Sequence, residues 1–290
     1  ERLFPGAPPR SSDMTTSAIL QAINGASLAA LLFLLASGFT LSFGLMRVVN
    51  MAHGAYYLLG GYVGLTVARS TGNFWLAIIV GGAAIALLGL FIDRVLIRRT
   101  GENHLAQVLL TVGIAFVIGD LALWTWGGDN LKVPVPMFLR GAVELPGGIV
   151  YPSFRLMLIG IGFVVALLLW LLYHKTQIGA VVRAGVDDRE MVAANGIHVD
   201  RLFMVVSALA SFLAGMAGVV GGAFLTLYPG AEWEILVFAL VVVIVGGLGS
   251  LEGVDGQRRL RLALQCRIAR EQTFRPLGHL LHCSLRSAER

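Results

Sequence analysis

The chain has 290 residues, of which 57% are hydrophobic and only 13% charged, where soluble domains carry roughly a quarter charged. With a mean hydropathy of +0.79, it has too few polar side chains to coat a water-soluble globule, so much of its surface must face lipid. That shortage of polar surface argues against a soluble enzyme, and the high hydrophobicity, the lack of a triplet period among the 36 glycines and the presence of only two cysteines, Cys266 and Cys283, in no CxxC or zinc-ligand spacing, exclude disordered, collagenous and disulfide-scaffold classes.

The net charge of +5 does not mark a nucleic-acid binder, because it sits at one end. Residues 255–290 carry eight arginines against Asp255, Glu271 and Glu289, and the rest of the chain balances at 14 basic and 14 acidic residues. No basic face is left to follow a phosphate backbone, so nucleic acid is excluded as a partner and the lipid bilayer is expected instead.

Residues 1–13 are polar and proline-rich and lack the parts of a signal peptide, so they read as a non-native or disordered extension upstream of a start at Met14. Crossing roughly 30 Å of hydrocarbon takes about 20 apolar residues in a helix. Such runs follow in order at 19–45, 74–92, 105–126, 154–173 and 202–227, with shorter pieces at 54–67 and 235–248. The fold class expected is all-α: a polytopic membrane helix bundle of about six to eight segments, some discontinuous.

Two basic loops set the orientation. Arg94, Arg98 and Arg99 lie in one, and Lys175, Arg183, Arg189 and Arg201 in the other. Two spans separate them, so both fall on one side, which the positive-inside rule makes cytoplasmic. Segment 127–152, with four prolines and with Trp124 and Trp126 at its edge, is then an outward loop. Asp93, Glu102 and Asp120 lie near predicted helix ends and read as interfacial charges.

Gly60 and Gly64 form one GxxxG and Gly218 and Gly222 another, with Gly215 one turn earlier. In lipid, helices associate through close backbone approach, so these read first as packing surfaces and second as a hinge or substrate path. Residues 246–249, Gly-Gly-Leu-Gly, are followed by no Lys-Ser/Thr and so form no phosphate loop. They read as a helix break of the kind that places free backbone groups at a transporter's centre, which makes Gly246, Gly247 and Gly249 candidate pathway residues. Beyond residue 253 the apolar pattern yields to an arginine-rich tail, 254–290, in which Leu260, Leu262 and Leu264 alternate with period two. No amphipathic stripe results, and the tail reads as the product of a shifted frame or a truncation.

Asn50 and His53 interrupt an apolar stretch, and a polar side chain at membrane depth needs a partner or a wet cavity. Two readings stand: Asn50 caps the next helix while His53 satisfies loop carbonyls, or both line a substrate route together with Gly54. His53 has no second ligand at HxxxH or HExxH spacing, so no metal is expected, and no cofactor. The loop 174–201 carries its own helix signals. Asp187 with Glu190 resembles a capping box, and Gly196 followed by Ile197 suits a helix end, so a two-turn helix is predicted over 188–195, with Met191, Ala193 and Ala194 on its exposed face.

The block from Gly38 to Gly54, with Gly44-Leu-Met-Arg-Val-Val-Asn-Met-Ala-His-Gly54, followed by Tyr57-Leu-Leu-Gly-Gly-Tyr62, resembles the permease subunits of branched-chain amino-acid ABC importers. The likeness extends over about 19–253, including 179–197 and Val245-Gly-Gly-Leu-Gly-Ser250. The resemblance implies a permease domain over 14–253 whose loop 174–201 docks on a separate ATPase. It gives coupling roles to Arg183, Ala184, Asp188, Ala193, Ala194, Gly196 and Ile197. It further implies ABC ATPase subunits, a second homologous permease and an extracytoplasmic substrate-binding protein as partners, in the inner membrane.

The chain itself holds no GxxxxGK[ST] segment, so ATP hydrolysis is assigned to another subunit and no enzymatic activity is expected. Three other functions compete: a urea or short-amide ABC permease, which the sequence does not separate from the first; a stand-alone secondary transporter, which needs a carboxylate in the middle of a span; and an intramembrane enzyme, which needs a serine or aspartate partner for His53.

Overall fold

The computed structural model describes residues 11–46, 49–101, 103–145, 149–187 and 199–246. The N-terminal extension, the predicted helix 188–195 and the arginine-rich tail lie wholly or mostly outside them. The described elements are helices α1 (Ser11–Met46), α2 (His53–Thr71), α3 (Phe74–Val95), α4 (His104–Trp126), α5 (Ser153–Lys175), α6 (Gln177–Asp187), α7 (Val199–Phe224) and α8 (Ala231–Gly246), with one antiparallel hairpin, β1 (Ala142–Leu145) and β2 (Ile149–Pro152).

Among the described residues, five helical stretches are long and apolar enough to cross a membrane: Ser17–Gly44, Phe74–Thr100, His104–Trp126, Ser153–Lys175 and Leu202–Phe224. Exposed Ile79, Leu87, Leu109, Phe116, Phe163 and Leu168 cover the outer faces of α3, α4 and α5, as lipid contact requires. The last of the five stretches is the most enclosed, because α7 packs against α1, α2 and α3 together. Helix α2 is less apolar yet mostly buried, with Tyr56, Tyr57 and Tyr62 all enclosed.

Glycine explains how α2, α3 and α7 come so close. A Cβ on Gly60 would lie 2.7 Å from the carbonyl oxygen of Gly215, and one on Gly81 would lie 3.0 Å from that of Gly60. Gly61 faces Gly218, and Gly64 faces Val219. The two GxxxG motifs of α2 and α7 therefore pack on each other, the reading the sequence favours.

Local chemistry sets the helix ends. The Asn73 side chain accepts from Trp75 N at 3.0 Å and Leu76 N at 3.2 Å to start α3, and Asn103 accepts from Ala106 N at 3.1 Å to start α4. Gly72, at φ 68°, closes α2 by donating to the Ala68 carbonyl, a left-handed position that costs glycine nothing.

Arg94 at the end of α3 donates to Met204 Sδ near the start of α7 at 3.5 Å. The end of α3 and the start of α7 thus lie side by side at one end of the bundle. At the opposite end, Trp126 stacks on Tyr62 at 5.1 Å and donates to Thr66 Oγ1 at 2.9 Å. It is therefore a packing residue, while Trp124 is largely exposed and fits the interfacial role.

Candidate functional site

The turn between α1 and α2 is built by Asn50. Its Oδ1 accepts from Ala52 N at 3.0 Å, its carbonyl accepts from His53 N at 3.2 Å, and its side-chain amide is hydrogen-bonded to the Tyr56 hydroxyl. Met51 N donates to Thr111 Oγ1 of α4 at 3.2 Å. The cap position of α2 belongs to Ala52, which offers no side-chain bond, so Asn50 shapes the approach to the helix without capping its first turn.

His53 is 1% exposed. Its Nε2 lies 3.2 Å from the Leu35 carbonyl of α1, and its ring meets Phe39 edge-on at 5.5 Å. The partner is thus a helix carbonyl inside the bundle. Gly38 makes room, since a Cβ there would lie 3.2 Å from His53 Cε1. Gly54 lies against the Glu232 carbonyl and Leu236. Asn50, His53 and Gly54 therefore cluster where α1, α2 and α8 meet. Gly246 is not part of that cluster: it ends α8 ten residues beyond Leu236, about 15 Å at 1.5 Å per residue. Gly247 and Gly249 lie outside the described residues.

The sixth apolar run extends through Leu227, but α7 ends at Phe224 and the chain turns back into the bundle. Leu227, fully buried, fills the space above Gly61 and Gly222. It pairs with Leu131 of loop 127–152 through bonds of 2.9 and 2.7 Å, while Val133 N donates to the Gly222 carbonyl at 3.1 Å. Gly61 lies ten residues from the C-terminal end of α2, about 15 Å in. Segment 225–230 is therefore re-entrant, and its exposed backbone groups are satisfied by the loop that follows it inward.

Gly230, at φ 101°, makes the turn that starts α8. In the first turn of that helix stands Glu232, 6% exposed, whose Oε2 accepts from Gly230 N at 2.8 Å. Its other oxygen lies 3.0 Å from where a Cβ on Gly119 would stand. Gly119 is seven residues, about 10 Å, from the C-terminal end of α4, so this carboxylate sits well inside the bundle. A negative group there complements the positive end of the helix dipole. Tyr62 lies within electrostatic reach, and its buried hydroxyl has no hydrogen-bond partner.

Sequence reasoning missed Glu232 because it began the last run at residue 235. The signal was present: Tyr228-Pro-Gly-Ala-Glu-Trp-Glu234 joins a Pro-Gly turn to an acidic first turn, the signature of a helix start. Glu232 is thus a buried carboxylate of the kind a stand-alone secondary transporter needs, placed at the head of a helix and not in the middle of a span.

Beside this break lies a cavity of about 600 Å³, walled by Leu28 and Leu32 of α1, Tyr57 of α2, Leu225, Thr226 and Tyr228 of the re-entrant segment, and Ala231, Glu234, Ile235 and Phe238 of α8. Leu28 and Leu32 straddle the midpoint of the apolar stretch Ser17–Gly44, which puts the cavity near the centre of the membrane. Tyr228 Oη donates to Glu234 Oε2 at 2.6 Å.

Of the coupling residues, only Arg183 and Ala184 are described with their side chains. They lie on α6, a helix the sequence reading did not foresee. Thr176 caps it, its Oγ1 accepting from Gly179 N at 3.1 Å. Arg183 folds back on α5, donating to the Tyr173 carbonyl with its guanidinium 4.9 Å over the Tyr173 ring, while Ala184 is exposed. Asp188, Ala193, Ala194, Gly196 and Ile197 lie outside the described residues.

Asp93 differs from its reading as an interfacial charge. It is 4% exposed, within electrostatic reach of Tyr56 and Arg98, whereas Asp120 is exposed and Glu102 lies outside the described residues. Among the described residues no three His, Cys, Asp or Glu side chains are grouped to hold a metal ion.

Comparison with known proteins adds the context for this geometry. The family described as branched-chain amino acid transport system / permease component matches residues 21–254. The high-affinity branched-chain amino acid transport system permease protein BraD of Pseudomonas aeruginosa is 24% identical over 80% of both chains. The permease protein LivH of Salmonella typhimurium is 25% identical over the same shares. The ribose import permease protein RbsC of Escherichia coli is 25% identical over 78% of this chain and 65% of its own. No solved structure matches the chain. With its five apolar spans, its enclosed α2–α7 core and a family match over 234 residues, this multi-pass membrane protein belongs to the branched-chain amino acid transport system permease family.

Proposed function

We propose that this chain forms half of the translocation path of an ABC importer in the cell's inner membrane, carrying branched-chain or similarly aliphatic amino acids. The observation that carries the reading is the mid-depth cavity at the broken α7–α8 junction, with a wall that is mainly aliphatic around a few polar groups. Such a composition suits a small solute with a hydrophobic side chain, and broken helices near the midplane are where transporters place their sites. A sugar such as the one named for the ribose permease needs many hydrogen-bond partners, which Leu28, Leu32, Leu225, Ile235 and Phe238 do not offer.

Energy comes from separate ATPase subunits that grip the cytoplasmic segment 174–201, with α6 anchored to α5 through Arg183. A fixed anchor matters because a docking helix transmits ATPase closure only if it moves with the spans behind it. A second homologous permease completes the path, and an extracytoplasmic binding protein delivers the solute. Asn50, His53 and Gly54 contribute by holding α1, α2 and α8 together beside the cavity.

The test is uptake of labelled leucine by proteoliposomes holding the complete complex, with the binding protein supplied. Uptake that requires ATP and resists excess urea and ribose is expected. Uptake driven by an ion gradient without ATP overturns the ABC reading, and competition by urea or ribose overturns the substrate.

A further inference from the structure

Glu234 brings an exposed negative charge to the cavity wall. It stands in the first turn of α8, two residues past the buried Glu232, on the wall of a cavity at mid-membrane depth. An ionisable group at that depth is expensive unless it is paired or wet. Its carboxylate is exposed and accepts from the neutral Tyr228 hydroxyl at 2.6 Å, and no lysine or arginine lines the cavity.

The helix N-terminus beside it does not supply an anion site. Glu232 already occupies it, taking the Gly230 N–H at 2.8 Å, so a solute carboxylate arriving there meets a negative group. Another wall residue, Tyr57, is 1% exposed and keeps its hydroxyl without a hydrogen-bond partner. The cavity thus combines an exposed carboxylate with no cation on the same wall, an orphan hydroxyl and a mainly aliphatic lining.

We propose that the Glu234–Tyr228 pair is an ammonium subsite, so that the cavity reads the amino group and side chain of its solute and leaves the solute's carboxylate unread. The inference rests on the proposed function and adds to it which end of the amino acid this chain recognises. A charge-assisted bond between an ammonium and Glu234 supplies the missing cation, and the solute's side chain covers Leu28, Leu32 and Phe238. A neutral solute leaves the carboxylate unpaired, which disfavours sugars and urea at this step.

The experiment is displacement of labelled leucine from the complete complex in nanodiscs, without the binding protein, so that its own selectivity does not enter. Isoamylamine and leucinamide keep the ammonium and the side chain, and 4-methylpentanoate keeps the carboxylate and the side chain. The amine and the amide are expected to displace leucine at least tenfold more effectively than the acid. Glu234→Gln is expected to weaken leucine binding about tenfold or more, and Glu234→Asp to restore part of it. Equal displacement by acid and amine, unchanged binding in Glu234→Gln, or no saturable leucine binding to the unaltered complex overturns the proposal. The displacement profile uses the unaltered chain and stands even if a variant fails to assemble. ATP-dependent leucine uptake by the same complex is read separately, so the subsite can fail while the transport function holds.

Discussion

Gly60 and Gly215 press the backbones of α2 and α7 together: a Cβ added at Gly60 would meet the Gly215 Cα and sit 2.7 Å from its carbonyl oxygen. The surrounding helices leave no room for α2 to retreat, because α3 closes the same contact through Gly81.

Gly60→Val is therefore expected to destabilise the bundle by about 3 kcal/mol or more, since overpacking a filled core costs typically 1–3 kcal/mol per site even without backbone collision. Gly113→Ala is the control, because nothing lies within 4 Å of the added Cβ and alanine favours helix by about 1 kcal/mol. Thermal unfolding in detergent should lower the midpoint for the first variant and leave it level or higher for the second.

At the start of α8, Glu232→Ala removes the acceptor of Gly230 N–H. Losing this partly buried hydrogen bond costs about 0.5–1.5 kcal/mol. Amide hydrogen exchange across residues 230–236 is expected to accelerate in this variant and to stay near the parent rate in Glu232→Gln, which keeps a carbonyl acceptor. Equal exchange in Glu232→Ala and the parent chain would show that the carboxylate does not hold the helix start.

His53→Ala deletes both the ring packing on Phe39 and the bond to the Leu35 carbonyl. A loss of about 2–4 kcal/mol is expected from the cavity and the lost bond together. Leucine uptake per assembled complex separates the two sequence readings of this residue. A packing residue lowers the yield of complex and spares the rate, whereas a pathway residue lowers the rate in complexes that assemble.

Gly196→Val tests the coupling assignment, because a β-branched residue resists the left-handed backbone expected at that helix end. Membrane insertion should be unchanged and co-purification of the ATPase reduced. Arg183→Ala is expected to weaken coupling less, by about 1 kcal/mol or below for the lost contact with Tyr173. Normal ATPase recovery with Gly196→Val, or labelling of Asp188 from outside the cell, contradicts the assignment.

The spans were legible in the chain itself. A solvent of lipid forces long apolar helices, so the runs at 74–92, 105–126 and 154–173 reappear as α3, α4 and α5 with ends shifted by a few residues. The glycine spacing of α2 and α7 foretold close packing, because small residues at one helix face let backbones approach in lipid. Tertiary structure alone decided which glycines face each other, that His53 bonds a carbonyl of α1, and that α7 stops at Phe224 so that Glu232 and Glu234 enter the membrane region at the head of a new helix. Hydropathy reports the average polarity of a window, and two carboxylates beside Ile235 and Leu236 look like the edge of a span. Their depth comes from Leu131, Gly54 and Gly119, residues far away in the chain that hold the re-entrant turn in place.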